Sequence, residues 1–297
     1  MVSGRSADPR IERSPFPFQQ VDVFSAIPFK GNPVAVVLEA DRLSTDQMQA
    51  IANWTNLSET TFVCTPSVPQ ADYRLRIFTP KSELQFAGHP TIGSAHAVLR
   101  NGLKPKTAGF LVQECGKGLV TLRVEGERLF LAVPTPVLRD VPAAQLSELA
   151  AALGVPPDSV RANAVVDVGV AWITLQLADG DVVRQLRPDQ ARIRALTPPG
   201  AVGVTVFGLA QAGTHPDIEV RSFAPAEGVP EDPVCGSGNG CVAALVRRER
   251  LIPRSRYVAS QGRCVGRDGR VEVQFGDDET IWLGGHAVTC VEGALRA

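Results

Sequence analysis

The chain has 297 residues, 21% of them charged, with 30 basic against 31 acidic side chains and a net charge of −1. That length can bury a large core and suits two domains better than one. The even charge argues against electrostatic capture of nucleic acid or of an anionic membrane surface. Cysteines 64, 115, 235, 241, 264 and 290 form no Cys-x-x-Cys pair and have no histidine at metal spacing. Zinc and a disulfide framework are therefore not expected, and reduced thiols in a cytoplasmic protein are. Residues 1–15 read as a loose tail, without the apolar run of a signal peptide. The most apolar stretch, 164–178, is broken by Asp167, Thr174 and Gln176, so no membrane span is expected.

In chain order, Gln19 to Phe24 alternates like a strand, and the loop Pro28-Phe29-Lys30-Gly31-Asn32-Pro33 leads into the apolar run 34–38. Ser44 and Gln47 form a capping box, and Met48, Ile51, Ala52 and Thr55 recur at helical spacing up to Asn56. The β-branched tail of 56–63 is a strand, which places Glu59 at a helix-to-strand junction. Residues 73–80 alternate as a strand with one wet face. After a loop, Pro90 suits the first position of a helix carrying Ile92, Ala95 and Leu99 and ending near Gly102. Strands are expected at 109–113, 118–125 and 128–133, and Pro134, Pro136 and Pro142 mark a boundary between halves.

The second half follows the same plan. A helix (143–153), a long apolar strand (164–177), a short helix near 188–196 and a strand at 202–210 lead to Asp217-Ile218-Glu219-Val220-Arg221-Ser222-Phe223-Ala224-Pro225. That segment mirrors Arg74 to Pro80. Then comes Glu231-Asp232-Pro233-Val234-Cys235-Gly236-Ser237-Gly238-Asn239-Gly240-Cys241, an acidic pair and a proline entering a glycine-rich helix start. Val242, Leu245 and Val246 supply the apolar stripe. Arg247, Arg248 and Arg250 suit the negative end of the same helix. Strands are expected at 257–260, 270–275 and 280–283. The order strand, Phe-x-Pro, loop, glycine-containing helix start, helix and three strands thus occurs twice, as in an internally duplicated α+β fold. Its two helix N-termini could face each other across an interdomain cleft.

Each candidate for chemistry has a plainer reading beside it. The glycine-rich start could hold an anion on its unpaired amides, or merely cap a helix. Glu59 is either an acid/base group or a solvated surface residue. His89, between Gly88 and Pro90, is placed for proton transfer or for packing. Asp232 could be a helix cap, Ser237 a hydroxyl donor or a cap, and Cys235 a reactive thiol or a small buried side chain. His96 reads as structural, and His215 and His286 have no evident partners.

Glu59 in Asn56-Leu57-Ser58-Glu59-Thr60-Thr61-Phe62, His89 in Phe86-Ala87-Gly88-His89-Pro90-Thr91, and Glu231-Asp232-Pro233 with Gly236-Ser237 together resemble the PhzF family, the phenazine-biosynthesis isomerase group. The opening Asp22-Val23-Phe24 with Pro28-Phe29-x-Gly31-Asn32-Pro33, and Ser260-Gln261-Gly262 with Gly266-Arg267-x-Gly269, resemble its terminal signatures. The resemblance runs from about residue 18 to 293. It implies the α+β fold of diaminopimelate epimerase, with two similar lobes, each a strongly curved, mostly antiparallel sheet around a central helix, and a site in the interdomain cleft. The matching organisation is a tail at 1–15, a first lobe at 16–136 and a second at 137–297, with the last strand free to return to the first lobe.

The resemblance also implies an isomerase without metal or organic cofactor, acting on a small carboxylate-bearing molecule, as a homodimer. Its implied catalytic residues are Glu59 as acid/base, His89 and Asp232. Its implied binding groups are Ser237, Gly236, Gly88, Thr91, Cys235 and Gly238. The reaction implied is an allylic isomerisation like that of dihydro-hydroxyanthranilate. Helix N-terminal amides at 90–93 and 236–239 would hold the carboxylate. Many relatives have Thr at the place of Cys235, whose surroundings look like the second catalytic cysteine of the epimerase, while the first-lobe counterpart is His89. That leaves open a racemase or epimerase using Cys235 with Glu59 or His89, and also a non-catalytic dimer that binds a small acid.

Overall fold

Two buried helices, α2 (Gly88–Arg100) and α6 (Gly236–Arg248), organise the chain. The computed structural model describes residues 15–211 and 213–297, so all but Pro15 of the expected tail lies outside the described residues. Both helices are buried almost all round, α2 through residues 89–95, 97 and 98 and α6 through 238–246. Helices with that pattern are core elements, and each has a sheet wrapped on it.

Around α2 the strands are β1 (Phe16–Val23), β2 (Asn32–Val37), β3 (Thr60–Cys64), β4 (Tyr73–Phe78), the short β5 (Glu83–Leu84), β6 (Phe110–Cys115), β7 (Gly118–Glu125) and β8 (Arg128–Ala132). The final strand β17 (Ile281–Leu295) pairs with both β8 and β1. The circuit β1-β2-β3-β4-β6-β7-β8-β17 is therefore closed, antiparallel except at β2–β3 and β4–β6. Closure leaves no free edge along that circuit. Helix α1 (Thr45–Thr55) lies outside it, started by the expected capping box and ended by Asn56 in the left-handed conformation.

Around α6 run β9 (Val137–Arg139), β10 (Ala162–Asp167), β11 (Ala171–Gln176), β12 (Ala201–Leu209), β13 (Ile218–Ala224), β15 (Arg256–Gln261) and β16 (Gly269–Phe275), which meets β17. The hairpin strand β14 (Val229–Asp232) pairs with β13. Helices α3 (Ala143–Leu153), α4 (Gly180–Gln185) and α5 (Gln190–Leu196) cover the outer face with a second apolar cluster of Leu149, Leu153, Val183 and Ile193. The main core runs without a break from Val21 and Ile92 on one side to Val242 and Leu245 on the other.

Four sequence expectations change. The run 164–177 is a hairpin, β10 and β11, turning at Gly169 with φ +91, where Asp167 Oδ1 accepts from the Gly169 amide. Two strands buried on one sheet read as a single apolar run because a three-residue turn barely interrupts it. Pro90 is the third residue of α2, not the first, since the extended Ala87 precedes a helix that opens at Gly88. Asp232 ends strand β14, and Cys235 caps α6 in its place, its Sγ accepting from the Gly238 amide at 3.2 Å. The last strand continues to Leu295, far beyond 283.

Candidate active site

The two helix starts converge. A Cβ placed on Gly236 would stand 3.5 Å from the His89 amide nitrogen, whereas one on Gly88 would meet nothing within 4 Å. First-turn amides have no carbonyl four residues behind them, so two sets of donors and two positive dipole ends share one region. Gly88 leaves room above its end of that region.

Glu59 reaches the same place from the residue before β3. Asn56 turns the chain out of α1 in the left-handed conformation, and Thr60 and Thr61 are then fully buried in the sheet. This fixes Glu59 at the rim, with its Oε2 3.3 Å from His89 Nε2. Both atoms are buried and neither has a hydrogen-bond partner. The other ring nitrogen of His89 donates to the Pro33 carbonyl, so Nε2 carries a lone pair aimed at the carboxyl group.

Burial dominates the electrostatics, disfavouring the charged form of each group. Glu59 is pushed from 4.5 up to about 7, opposed by a hydrogen bond from Ser58. His89 is drawn from 6.5 down to about 4 by burial, against the upward pull of the Asp232 charge. Asp232 is raised from 3.8 to about 6 by burial, with His89 lowering it and Glu59 raising it. Near neutral pH, therefore, Glu59 exchanges its proton readily beside an uncharged imidazole.

The Asp232 loop is held from several sides. Asp232 Oδ1 accepts from Asn32 Nδ2 at 3.1 Å and from the Val234 amide at 3.0 Å. Gln261 Nε2 donates to the Asp232 carbonyl at 3.0 Å, while its Oε1 accepts from the Cys235 amide and from Asn239 Nδ2. Arg221 grips the neighbouring Glu231 carboxylate with two bonds of 2.9 and 2.8 Å. Ser237 Oγ accepts from the Trp172 indole at 3.0 Å and lies 3.6 Å from Cys235 Sγ, a contact in which either atom can donate.

The structure thus gathers Glu59, His89 and Asp232, with Gly88, Gly236 and Ser237 at the adjoining helix starts. Gly238, two residues into α6, is buried where a Cβ would stand 2.7 Å from Ser222 Oγ. Thr91 faces the sheet, fully buried, its hydroxyl accepting from Gln113 Nε2 at 3.1 Å. The Cys235 thiol is buried, capping α6, and burial drives it well above its ordinary value, so the thiol form prevails. His96 bonds to Thr289 Oγ1 at 3.0 Å, consistent with a structural role, and His215 lies 3.7 Å from Asp217, the partner its sequence did not reveal. Among the described residues, no group of three or more His, Cys, Asp or Glu side chains is placed to hold a metal ion, and no helix is long and apolar enough to cross a membrane. Sequence reasoning quoted Asn32, Pro33 and Gln261 inside motifs but gave them no task. Trp172 carried no signal at all.

Fold and site define a class first, proteins of the epimerase-like α+β architecture, here with buried carboxyl and imidazole groups beside two helix starts. A hydroxyproline epimerase from Agrobacterium vitis shares that fold, with a TM-score of 0.59 at 13% identity over 94% of this chain and 90% of its own. Similarity then becomes specific. A PhzF-family phenazine biosynthesis protein from Bacillus anthracis matches with a TM-score of 0.84 at 25% identity, covering 95% of this chain and 99% of that one. The family model for phenazine biosynthesis-like proteins matches residues 21–293, and the chain belongs to this PhzC-PhzF family. Among its relatives are antisense-enhancing sequence 1 of Schizosaccharomyces pombe, 41% identical over 93% of this chain and 97% of that protein, and the trans-2,3-dihydro-3-hydroxyanthranilate isomerase of Pseudomonas aeruginosa, 36% identical over 84% and 87%. Several others are named isomerases, and the protein is an isomerase by class.

Proposed function

We propose that the protein moves a proton within a small, conjugated, carboxylate-bearing substrate of the trans-2,3-dihydro-3-hydroxyanthranilate type, with Glu59 as the proton carrier. The observation that carries this reading is the pair of buried, unpartnered atoms, Glu59 Oε2 and His89 Nε2, 3.3 Å apart. A buried polar atom without a partner is costly, and one proton on Glu59 satisfies both atoms at once. The carboxyl group is held ready to lose that proton and take it back.

In the forward direction the Glu59 carboxylate removes a proton from one carbon. The C–H electron pair spreads over the conjugated system, and Glu59 returns the proton at another carbon of that system. Nothing is oxidised and nothing leaves. Negative charge develops on the substrate as the first bond breaks, and amide donors at the starts of α2 and α6, with the Ser237 hydroxyl, are suited to stabilise it. His89 keeps its Nε2 lone pair toward Glu59 and accepts the carried proton's hydrogen bond. Asp232 sets the charge felt by the imidazole. A carboxyl group near pH 7 works in both roles because neither protonation state is strongly preferred.

Glu59→Gln tests this directly, since it preserves shape and removes only the transferable proton. Isomerisation of trans-2,3-dihydro-3-hydroxyanthranilate, followed by absorbance, is expected to fall about 10²–10⁴-fold. Near-wild-type turnover in a variant with an unchanged circular dichroism spectrum would sink the assignment. Neither the buried Cys235 thiol nor its capping bond favours a thiol-based racemisation.

A further inference from the structure

Asn32 opens β2 and is 2% exposed. Its Nδ2 donates to Asp232 Oδ1 at 3.1 Å and to the Val234 carbonyl at 2.9 Å, both about 200 positions further along the chain. The next residue, Pro33, gives its carbonyl to the His89 ring. One dipeptide from the strands around α2 therefore touches both polar partners of the Glu59 site, one of them in the segment that leads into α6. The dipeptide is itself held. The Gly31 amide donates to Asp22 Oδ2 at 3.0 Å, and a Cβ on Gly31 would collide with the Val23 carbonyl, so the loop is tied down just before Asn32. The Pro33 ring fixes the backbone that aims its carbonyl.

We propose that Asn32 is a positioning residue for the isomerase reaction, clasping the Asp232 carboxylate against His89 across the two halves while Pro33 sets the imidazole ring. The inference rests on the proton-transfer reading of Glu59, His89 and Asp232. A hydrogen bond to a carboxylate favours its charged form. Losing it lets Asp232 turn and take up a proton more readily, and the imidazole beside Glu59 loses its fixed counter-charge. The titratable groups facing Asp232 are His89 on α2, Glu59 before β3 and Cys235 at the start of α6.

The test compares wild type with Asn32→Ala by NMR of chain labelled with ¹³C at the aspartate carboxyl carbon, the Asp232 signal being assigned by its absence in Asp232→Asn. No substrate is needed. The pH at which Asp232 titrates is expected to rise by about one unit in Asn32→Ala. On trans-2,3-dihydro-3-hydroxyanthranilate, kcat is expected to drop about 10–100-fold with KM within about threefold. In the Asp232→Asn background the same change is expected to cost less than about twofold more, because the positioned group is gone. An unmoved Asp232 titration, or losses that multiply in the double variant, would overturn the assignment. Should Asn32→Ala not fold, Asn32→Ser, which keeps a donor of shorter reach, carries the same measurements. An active Glu59→Gln, by contrast, would remove the proton-transfer reading while the shift of the Asp232 titration on Asn32→Ala still stood.

Discussion

At 3.3 Å the gap between Glu59 Oε2 and His89 Nε2 is wide for a settled hydrogen bond and narrow for two unbonded polar atoms. Its cost depends on pH. Glu59 takes up its proton at about 7 in the folded chain against 4.5 for an ordinary glutamate. A raised carboxyl contributes no penalty below 4.5 and loses stability progressively as pH climbs to about 7, because the folded state resists ionisation. Asp232, raised to about 6, acts in the same direction. His89, lowered to about 4, acts oppositely, costing stability as pH falls from 6.5 toward 4. Glu59→Gln removes the first effect and the share of the Asp232 shift that the Glu59 charge causes, which acts in the same direction. Its melting temperature should match wild type near pH 4.5 and exceed it above pH 7.5, by an amount equivalent to roughly 1–3 kcal/mol. Equal melting temperatures at both pH values would mean that Glu59 is not desolvated.

Glu59, His89 and Asp232 stood out in sequence because each lies beside a turn or helix start, where local pattern carries information. Asn32 and Trp172 act through partners 200 and 65 positions away, and no local rule anticipates such pairs. Thr91 was proposed for binding from its place in the His89 motif, but helix rotation turns it toward Gln113. Two residues separate it from His89, about half a turn, which is enough to reverse its direction.

Among the elements, α2 carries the greatest demand on its sequence. Gly93 packs where an added Cβ would clash with Val34 Cγ1 and stand 2.9 Å from Val23 Cγ2. Alanine at this position gains about 1 kcal/mol in helix propensity but forces the helix off β1 and β2, at a typical cost of 1–3 kcal/mol. Gly93→Ala is therefore expected to be net destabilising in a urea melt, and Val34→Ala to recover part of the loss in the double variant. A stabilised single variant would show that the helix has room to shift. The start of α2 was misjudged by two residues, because Pro90 suits the third helical position nearly as well as the first. Its N–H is unused at either. The α1 capping box and the Gly154 end of α3, in the left-handed conformation, were readable to the residue, since their chemistry is local.

For the molecule as a whole, β17 is the element that local pattern described least. Residues 281–286 pair with β8 or β16, and 287–295 run on beside β1. The final strand closes the circuit around α2 after finishing the sheet around α6. The repeated order of motifs suggested a duplicated α+β plan, but pairings between the two ends of a chain leave no mark on short windows of sequence. Because α2 and α6 share one continuous core and bring their first turns together, Glu59, the proposed proton carrier, stands in one half beside Asp232 of the other.

The most direct measurement of that arrangement is isomerisation of trans-2,3-dihydro-3-hydroxyanthranilate in D₂O, followed by NMR for wild type and Glu59→Gln. The predicted result is product carrying deuterium at the carbon that gains the proton, to the extent that the Glu59 proton exchanges with solvent, together with a shifted double bond. Both signals should disappear in Glu59→Gln. Undiminished isomerisation by Glu59→Gln, or deuterium entering an α-carbon with loss of optical activity and no shift of the double bond, would contradict Glu59 as the carrier of an allylic proton.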